Sequence, residues 1–396
     1  MSGPLTELAV VFLRLGLTSF GGPAAHTAMM EDELVARRRW LTHEHFLDLV
    51  GATNLIPGPN STEMTMHIGL DRAGGWGMLV AGTSFVLPAA LITGFLASLY
   101  VRYGALPQVE QLLAGVRPVV LVIILTAIVR LGQKAAKSWQ LVLIALAVAA
   151  ATWFGFNEIV ALFLGGLAGM VWLRGREGLA DRRGLVKALS LVLTLVTVAG
   201  GVVYVAGNVT TLWPQTVQQA PGQVPLWQLG LYFLFIGSVL YGSGYVLFAL
   251  LQGGPVETLG WLTSPQLVDA VAVGQVTPGP LFSAATFIGY LVAGWQGAVV
   301  ATVAIFLPGF VFVVALNPLV PRMRASPWMS SFLDAINASA IGLMAIVLVQ
   351  MSRSALTSWQ AVLIAIVAAI VLWRWKVNSA WLIAGGGLTG WFLLRL

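Results

Sequence analysis

The chain has 396 residues, 58% of them hydrophobic and only 9% charged, with a formal net charge of +6 and a mean hydropathy of +0.88. Ordinary globular chains are about one quarter charged, so a soluble domain is excluded. Cysteine is absent, which excludes disulfides, thiolate metal sites and cysteine nucleophiles. The positive balance fits basic cytoplasmic loops between membrane spans and needs no nucleic-acid partner.

In chain order, residues 1–20 show no basic n-region and no small-residue cleavage site, so no removable signal peptide is expected. A first apolar segment, residues 5–20, contains Arg14 and ends in Gly21, Gly22 and Pro23. An amphipathic stretch opens at Trp40-Leu41-Thr42, and residues 43–70 then form a helix-like segment that is interrupted. The interruption is Asn54-Leu55-Ile56-Pro57-Gly58-Pro59-Asn60-Ser61-Thr62-Glu63. Proline removes a backbone donor and clashes with the preceding turn, so no regular helix passes through it. Uncharged stretches at 73–101, 138–157, 354–373 and 377–394 are long enough to span hydrocarbon, which takes roughly 20 residues of helix. The expected class is therefore an all-α polytopic membrane protein.

The second half repeats the first at an offset of 221 residues. Trp40-Leu41-Thr42 meets Trp261-Leu262-Thr263, Asp48 meets Asp269, and Pro57-Gly58-Pro59 meets Pro278-Gly279-Pro280. Gly16 and Gly21 meet Gly237 and Gly242, and with small gaps Ser138-Trp139-Gln140 falls on Ser358-Trp359-Gln360. Such agreement at Trp, Pro and Gly points to a duplicated domain, residues 1–181 and 227–396. Between them lie a basic loop (Arg174, Arg176, Arg182, Arg183, Lys187), one further span at 189–206 and a charge-free linker at 207–225. Each half is expected to contain a first segment (5–20; 228–241), a broken segment (43–70; 264–290) and three or four regular spans. Thr263 with Gln266 makes a capping-box pattern that Thr42 with His45 does not.

Basic loops set the orientation. With 174–187 in the cytoplasm, Lys134 and Lys137 fall inside and Arg102 outside, while Arg322, Arg324, Arg374 and Lys376 come back inside. Loops equivalent in the repeat then sit on opposite faces, an inverted repeat with the N-terminus inside and the C-terminus outside. In hydrocarbon, irregular backbone survives only where protein or a water-filled cavity satisfies it. Inverted repeats with broken helices near the midplane are the shared plan of many secondary transporters. A half-helix N-terminus offers free N–H groups and a positive dipole end, which suits an anion. The helix restarting after Pro59 is expected to offer the amides and side chains of Asn60, Ser61 and Thr62. The second break is expected to offer amides after Pro280 and the hydroxyls of Thr277 and Ser283. The alternative is that both breaks are simple kinks.

Two blocks carry a family resemblance: Ser19-Phe20-Gly21-Gly22-Pro23-Ala24-Ala25-His26, and Gly51-Ala52-Thr53-Asn54 running on through Pro57-Gly58-Pro59 to Glu63. They resemble the signature blocks of the bacterial chromate ion transporters, and Gln275-Val276-Thr277-Pro278-Gly279-Pro280 resembles the second-half block. The resemblance covers nearly the whole chain, in the long two-domain form. It implies chromate efflux across the inner membrane, chromate resistance, and sulfate as a look-alike anion. The partners expected are chromate, sulfate and the bilayer, with a homodimer as a candidate assembly; no cofactor is implied.

Single residues sharpen the expectation. An arginine inside a membrane segment is a functional candidate by default, and its fork suits a dianion. Arg14, some two turns before Gly22, is assigned to the cavity. Arg117 is either a cargo ligand or a side chain reaching the outer interface. Glu63 is a coupling candidate, since a carboxylate beside an anion site can take a proton; the plainer reading is stabilisation of the first helical turn. His26 is a second coupling candidate, and His67 shares its ability to titrate near neutral pH. Asp48 and Asp269 read as dipole partners of the helices approaching the breaks. His43-Glu44-His45 is no metal motif, because adjacent helix positions do not face one site. Trp40, Trp139, Trp261 and Trp359 read as interfacial anchors. An anion channel and an intramembrane enzyme are the competing classes, and a broader sulfate or oxyanion transporter is the near alternative. The first needs a pore open to both faces, and the second a nucleophile–base or metal constellation that the sequence lacks.

Overall fold

The structure is a computed structural model that describes residues 3–20, 22–174, 224–241, 244–316, 323, 326–375 and 377–393. The expected connecting span, the linker up to residue 223, Gly21 and the basic residues 176–187, 322, 324 and 376 lie outside the described residues. The described residues are helical, with no strand among them. The first half comprises α1 (Pro4–Thr18), α2 (Pro23–Glu31), α3 (His43–Thr53), α4 (Asn60–Tyr103), α5 (Pro107–Ala135), α6 (Trp139–Trp153) and α7 (Glu158–Arg174). The second comprises α8 (Leu226–Val239), α9 (Val246–Leu251), α10 (Ser264–Val276), α11 (Ala284–Leu316), α12 (Pro327–Ala355), α13 (Trp359–Trp375) and α14 (Ser379–Leu393). Among the described residues, each helix of the first half thus has a counterpart seven places later, and a π-helical turn follows both α2 and α9 (Asp32–Arg37; Gln252–Thr258).

Helix ends follow local chemistry. Thr263 makes the full capping box with Gln266, whereas Thr42 only accepts a hydrogen bond from the His45 amide at 3.2 Å. Both α4 and α11 contain one non-helical pair of residues, Ala73-Gly74 and Ala293-Gly294. The glycines stand at φ +61 and +60, a region closed to most L side chains. Each long element folds back there. A side chain at Gly82 would touch Met66, sixteen residues earlier, which a straight helix would hold about 24 Å away. α4 is therefore a hairpin with a short first arm, residues 60–72, and a long second arm, residues 75–103. The same holds for α11, where Gly289 meets Gly297 and Ala301.

The start of α1, the end of α2, the start of α3 and the end of the first arm of α4 share one face. Glu7 pairs with Arg72 at 2.6 Å, and Arg72 lies over the Trp40 ring at 3.9 Å. His43 meets Glu31 at 3.0 Å and His45 meets Asp71 at 2.8 Å. The first segment and the broken segment both enter and return on this face. Four helical segments then complete each half.

The halves interlock. α5 runs antiparallel to its counterpart α12, with Lys137 near the end of the first paired to Asp334 near the start of the second at 2.7 Å. α7 packs on α12 through Gly166 against Phe332 and Ile336, while α14 packs on α5 through Gly386 against Val119. The long arms of α4 and α11 cross near the centre, where Phe310 fills the space over Gly82. Their outer stripes, Leu87, Leu91 and Phe95 on one and Val299, Val303, Leu307 and Val311 on the other, are exposed. Apolar stripes at helical spacing on the outside suit lipid, not water. Trp139 and Trp359 are exposed at the starts of α6 and α13, as anchors require, whereas Trp40 and Trp261 pack against Arg72 and Tyr232.

Candidate functional site: the cavity between the two breaks

Each Pro-Gly-Pro break is held by the other half. The Gly58 amide donates to the Leu240 carbonyl at 2.8 Å, and the Gly279 amide donates to the Ser19 carbonyl at 2.9 Å. Leu240 and Ser19 are themselves repeat counterparts, each just past the end of α8 or α1. The glycines at φ +138 and +94 let these strands of backbone turn toward each other.

A cavity of about 850 Å³ lies between the breaks, within the range of small-molecule sites, about 300–1,000 Å³. The first half contributes Thr27, Thr53, Asn54, Pro59, Asn60 and Ser61 to its wall, with Lys134 and Lys137 at the exposed rim. From the second half come Pro280, Leu281, Phe282, Ser330, Asp334 and Asn337.

At the first break Asn60 Nδ2 donates to Asn54 Oδ1 at 2.7 Å, and Asn54 Nδ2 donates back to the Val50 carbonyl at 2.9 Å. The two carboxamides are thereby oriented across the gap. Ser61 Oγ lies 3.1 Å from His26 Nδ1, and His26 Nε2 lies 3.2 Å from the Ser19 carbonyl. The Asn60 and Ser61 amides precede the first intrahelical bonds of α4. Those of Thr62 and Glu63 already donate to the Pro59 carbonyl, at 2.8 and 3.0 Å. Thr62 therefore does not offer its amide to cargo, and its fully buried side chain does not line the cavity.

The second break is built differently. Pro280 caps a single 3₁₀ turn, Leu281–Ser283, before α11 begins. What it presents to the cavity is apolar. Thr277 Oγ1 is bound to the Val273 carbonyl at 2.7 Å and to Thr93 Oγ1 at 3.4 Å, and Ser283 is buried; neither lines the cavity. The expected pair of matching polar ends is thus one polar end facing one apolar end. Pro57, Gly58, Pro278 and Gly279 are the backbone frame. Gly22, at φ +81, starts α2 beside the site without lining it.

Neither candidate arginine reaches the cavity. Arg14 is exposed on the outer side of α1, with Val10, Leu13 and Leu17. Arg117 donates through its Nε and one Nη to both oxygens of Asp269, at 2.9 Å each, and through the other Nη to Glu110 at 2.7 Å. The Tyr100 hydroxyl adds a bond to Asp269 at 2.9 Å. Asp269 is 0% exposed and Arg117 13%, so Asp269 is a buried ion-pair partner rather than a helix-dipole residue. At the offset of 220 that holds here, Glu110 and Arg117 are the counterparts of Ser330 and Asn337, which line the cavity. Where one face has open polar wall, the other has a clasped salt bridge.

The sequence reading missed the second-half wall. Lys134 and Lys137 entered only as orientation signals, and Ser330, Asp334 and Asn337 did not enter at all. Their signal was available: Asp334 and Asn337 lie three residues apart in an otherwise apolar run. No group of three or more His, Asp or Glu fit to hold a metal occurs among the described residues.

The comparisons agree with this architecture. The chromate transporter family matches twice, over residues 6–170 and 227–391. A chromate transport protein of Cupriavidus metallidurans is 32% identical over 390 residues, 98% of this chain and 92% of the relative. A probable chromate transport protein of Synechococcus elongatus is 32% identical over 373 residues, 93% of this chain and 90% of its own length. A chromate transport protein of Pseudomonas aeruginosa is 28% identical, covering 98% of this chain and 92% of its own length. No solved structure matches the chain. With both halves matched, and with relatives of this length aligned nearly end to end, this multi-pass membrane protein belongs to the chromate transporter family.

Proposed function

We propose that the chain is a secondary transporter that exports chromate across the bacterial inner membrane and so gives chromate resistance. Sulfate is the look-alike competitor. Residues 1–181 and 227–396 are the two transport domains, arranged as an inverted repeat and joined by 182–226. The N-terminus is cytoplasmic and the C-terminus periplasmic, which puts Lys134, Lys137 and the cavity mouth on the cytoplasmic side.

One observation carries this reading: the cavity between the breaks has an open rim at the Lys134 face, while at the counterparts of its wall residues Ser330 and Asn337 the Arg117 guanidinium is clasped between Glu110 and Asp269. A one-sided cavity is the arrangement of a carrier caught facing inward; a channel has no such asymmetry. Cargo is held at the first break by the Asn60 and Ser61 amides, the Asn54 and Asn60 carboxamides and the Ser61 hydroxyl. Lys134 supplies the positive rim. Transport is coupled to exchange or to a proton, with Glu63 and His26 as the coupling groups.

Radiolabelled chromate uptake into everted vesicles tests the site. Asn60→Ala with Ser61→Ala is expected to abolish saturable, sulfate-inhibited uptake at normal protein levels. Unchanged uptake in that variant would remove cargo binding from the first break.

A further inference from the structure

Glu63, His67 and Asp71 occupy successive i, i+4 positions on the first arm of α4, so they share one face with Cβ atoms about 5–6 Å apart. Glu63 and His67 are both 0% exposed. Neither carboxyl oxygen of Glu63 and neither ring nitrogen of His67 has a hydrogen-bond partner among the described residues. Buried polar groups are nearly always satisfied, so two unsatisfied titratable neighbours on one helical face call for a functional explanation. The Glu63 carboxyl lies against Gly58, inside the first break, and a methyl on Gly309 would sit 3.8 Å from its Oε1. Asp71 ends the row at the surface. Its charge acts on His67, and its Oδ2 lies 2.8 Å from His45 Nε2, with both side chains partly exposed.

We propose that Asp71, His67 and Glu63 form a proton relay running from the surface pair His45–Asp71 to the first break. The proposal deepens the transport reading and rests on it for the identity of the cargo. A proton from water is taken up at the His45–Asp71 pair and passed to one ring nitrogen of His67. The other nitrogen releases a proton to the Glu63 carboxylate, leaving His67 neutral and Glu63 a carboxylic acid. No other species is consumed.

The surroundings leave Glu63 as the end of the line. From α2 the nearest titratable group is His26, already engaged by Ser61 and Ser19. From α3 they are His45 and Asp48, and from α1 Glu7, which is paired to Arg72. Tyr241, after α8, lies within electrostatic reach of Glu63. From α11, Gly309 lies over the Glu63 side chain and Phe310 packs beside Met66, and neither titrates.

The sign of the coupling follows from charge. Asn60, Ser61 and Met64 line the cavity on the turn that carries Glu63 behind them. A proton on Glu63 removes a negative charge beside a dianion, so proton and chromate favour each other's binding, and by linkage the effect is reciprocal. Both therefore travel in the same direction.

The full chain in proteoliposomes tests this in two ways. In infrared spectra after a pH jump, without cargo, a protonated-carboxyl band is expected that Glu63→Gln abolishes. Its appearance is expected to slow in His67→Leu and in the surface variant Asp71→Asn. In chromate assays, wild-type affinity is expected to rise as pH falls, and Glu63→Gln to lose that dependence. His67→Leu is expected to lose acid-driven uptake while exchanging labelled chromate normally at equal pH. A carboxyl band that survives Glu63→Gln overturns the relay. So does proton arrival and acid-driven uptake at wild-type rates in both His67→Leu and Asp71→Asn. A wild type that shows the band and its dependence on His67, yet carries no chromate, upholds the relay and overturns only the cargo.

Discussion

At the scale of single residues, the cavity wall presents a small set of oriented neutral donors with a cation at the entrance. Asn60 and Asn54 fix each other's carboxamides at 2.7 Å, and His26 fixes the Ser61 hydroxyl. Preorganised donors of this kind cost little to arrange when the cargo arrives. Lys137 is partly neutralised by Asp334, while Lys134 stands exposed on the rim. Lys134→Glu is expected to raise the chromate concentration for half-maximal uptake about tenfold, equivalent to ~1.4 kcal/mol, with Lys134→Arg near wild type. Concentration dependence in everted vesicles at low salt, where screening is weakest, measures it. The motif Asn54 to Glu63 was legible in the sequence because proline and glycine announce a break. Which donors stay free was not. That depends on the Pro59 carbonyl capturing the Thr62 and Glu63 amides, a contact set only by the backbone path.

At the scale of elements, the clasp of α4, α5 and α10 separates a structural arginine from a ligand. Arg117 joins Glu110 of its own helix to Asp269 of α10, with Tyr100 of α4 on the same carboxylate. Removing one partner of a buried pair strands the other, at about 3–5 kcal/mol. Arg117→Ala is therefore expected to lower the thermal unfolding midpoint in detergent markedly. Arg117→Met combined with Asp269→Leu is expected to recover most of that loss, yet to remain impaired in transport because the face that carries the clasp no longer closes reversibly. A stable double variant with normal transport would reduce the clasp to packing. The sequence showed a costly intramembrane arginine and a recurring aspartate, but α5 and α10 lie 152 residues apart at these positions and only the fold brings them together. Arg14 shows the same limit in reverse. Its place inside an apolar segment was legible; the side of α1 it occupies was not, since both sides of that helix carry apolar residues.

At the scale of the whole molecule, the duplication was readable because Trp, Pro and Gly recur at one spacing, and the interlocking of the halves was hidden because packing leaves no periodic mark. α12 packs against helices of the first half, so the proposed opening of one face and closing of the other would shift it against α5. The absence of cysteine makes a direct probe simple. Lys137→Cys with Asp334→Cys, bridged across the cavity mouth by a short bis-methanethiosulfonate linker that forms a disulfide to each cysteine, is expected to stop chromate uptake and to release it on reduction. Uptake that continues through the bridge would remove rocking of α12 against α5 from the cycle. The membrane potential sets the economics of the cycle. An exported dianion moves two negative charges outward, worth about 4.6 kcal/mol at 100 mV, and a proton travelling with it leaves about 2.3 kcal/mol still favouring export.

The crossed hydrogen bonds at the two breaks also set a timetable for biogenesis. Gly58 finds its acceptor at Leu240, and the Ser19 carbonyl finds its donor at Gly279. When the first half leaves the ribosome, its break has no partner in hydrocarbon, where an unmatched backbone group costs several kcal/mol. The acceptor for Gly58 is made 182 residues later, about 10–40 s at ordinary elongation rates. During that interval the nascent first half must be sheltered by the insertion machinery or by water at its own face, and the second half, on arrival, completes the first as much as it folds itself.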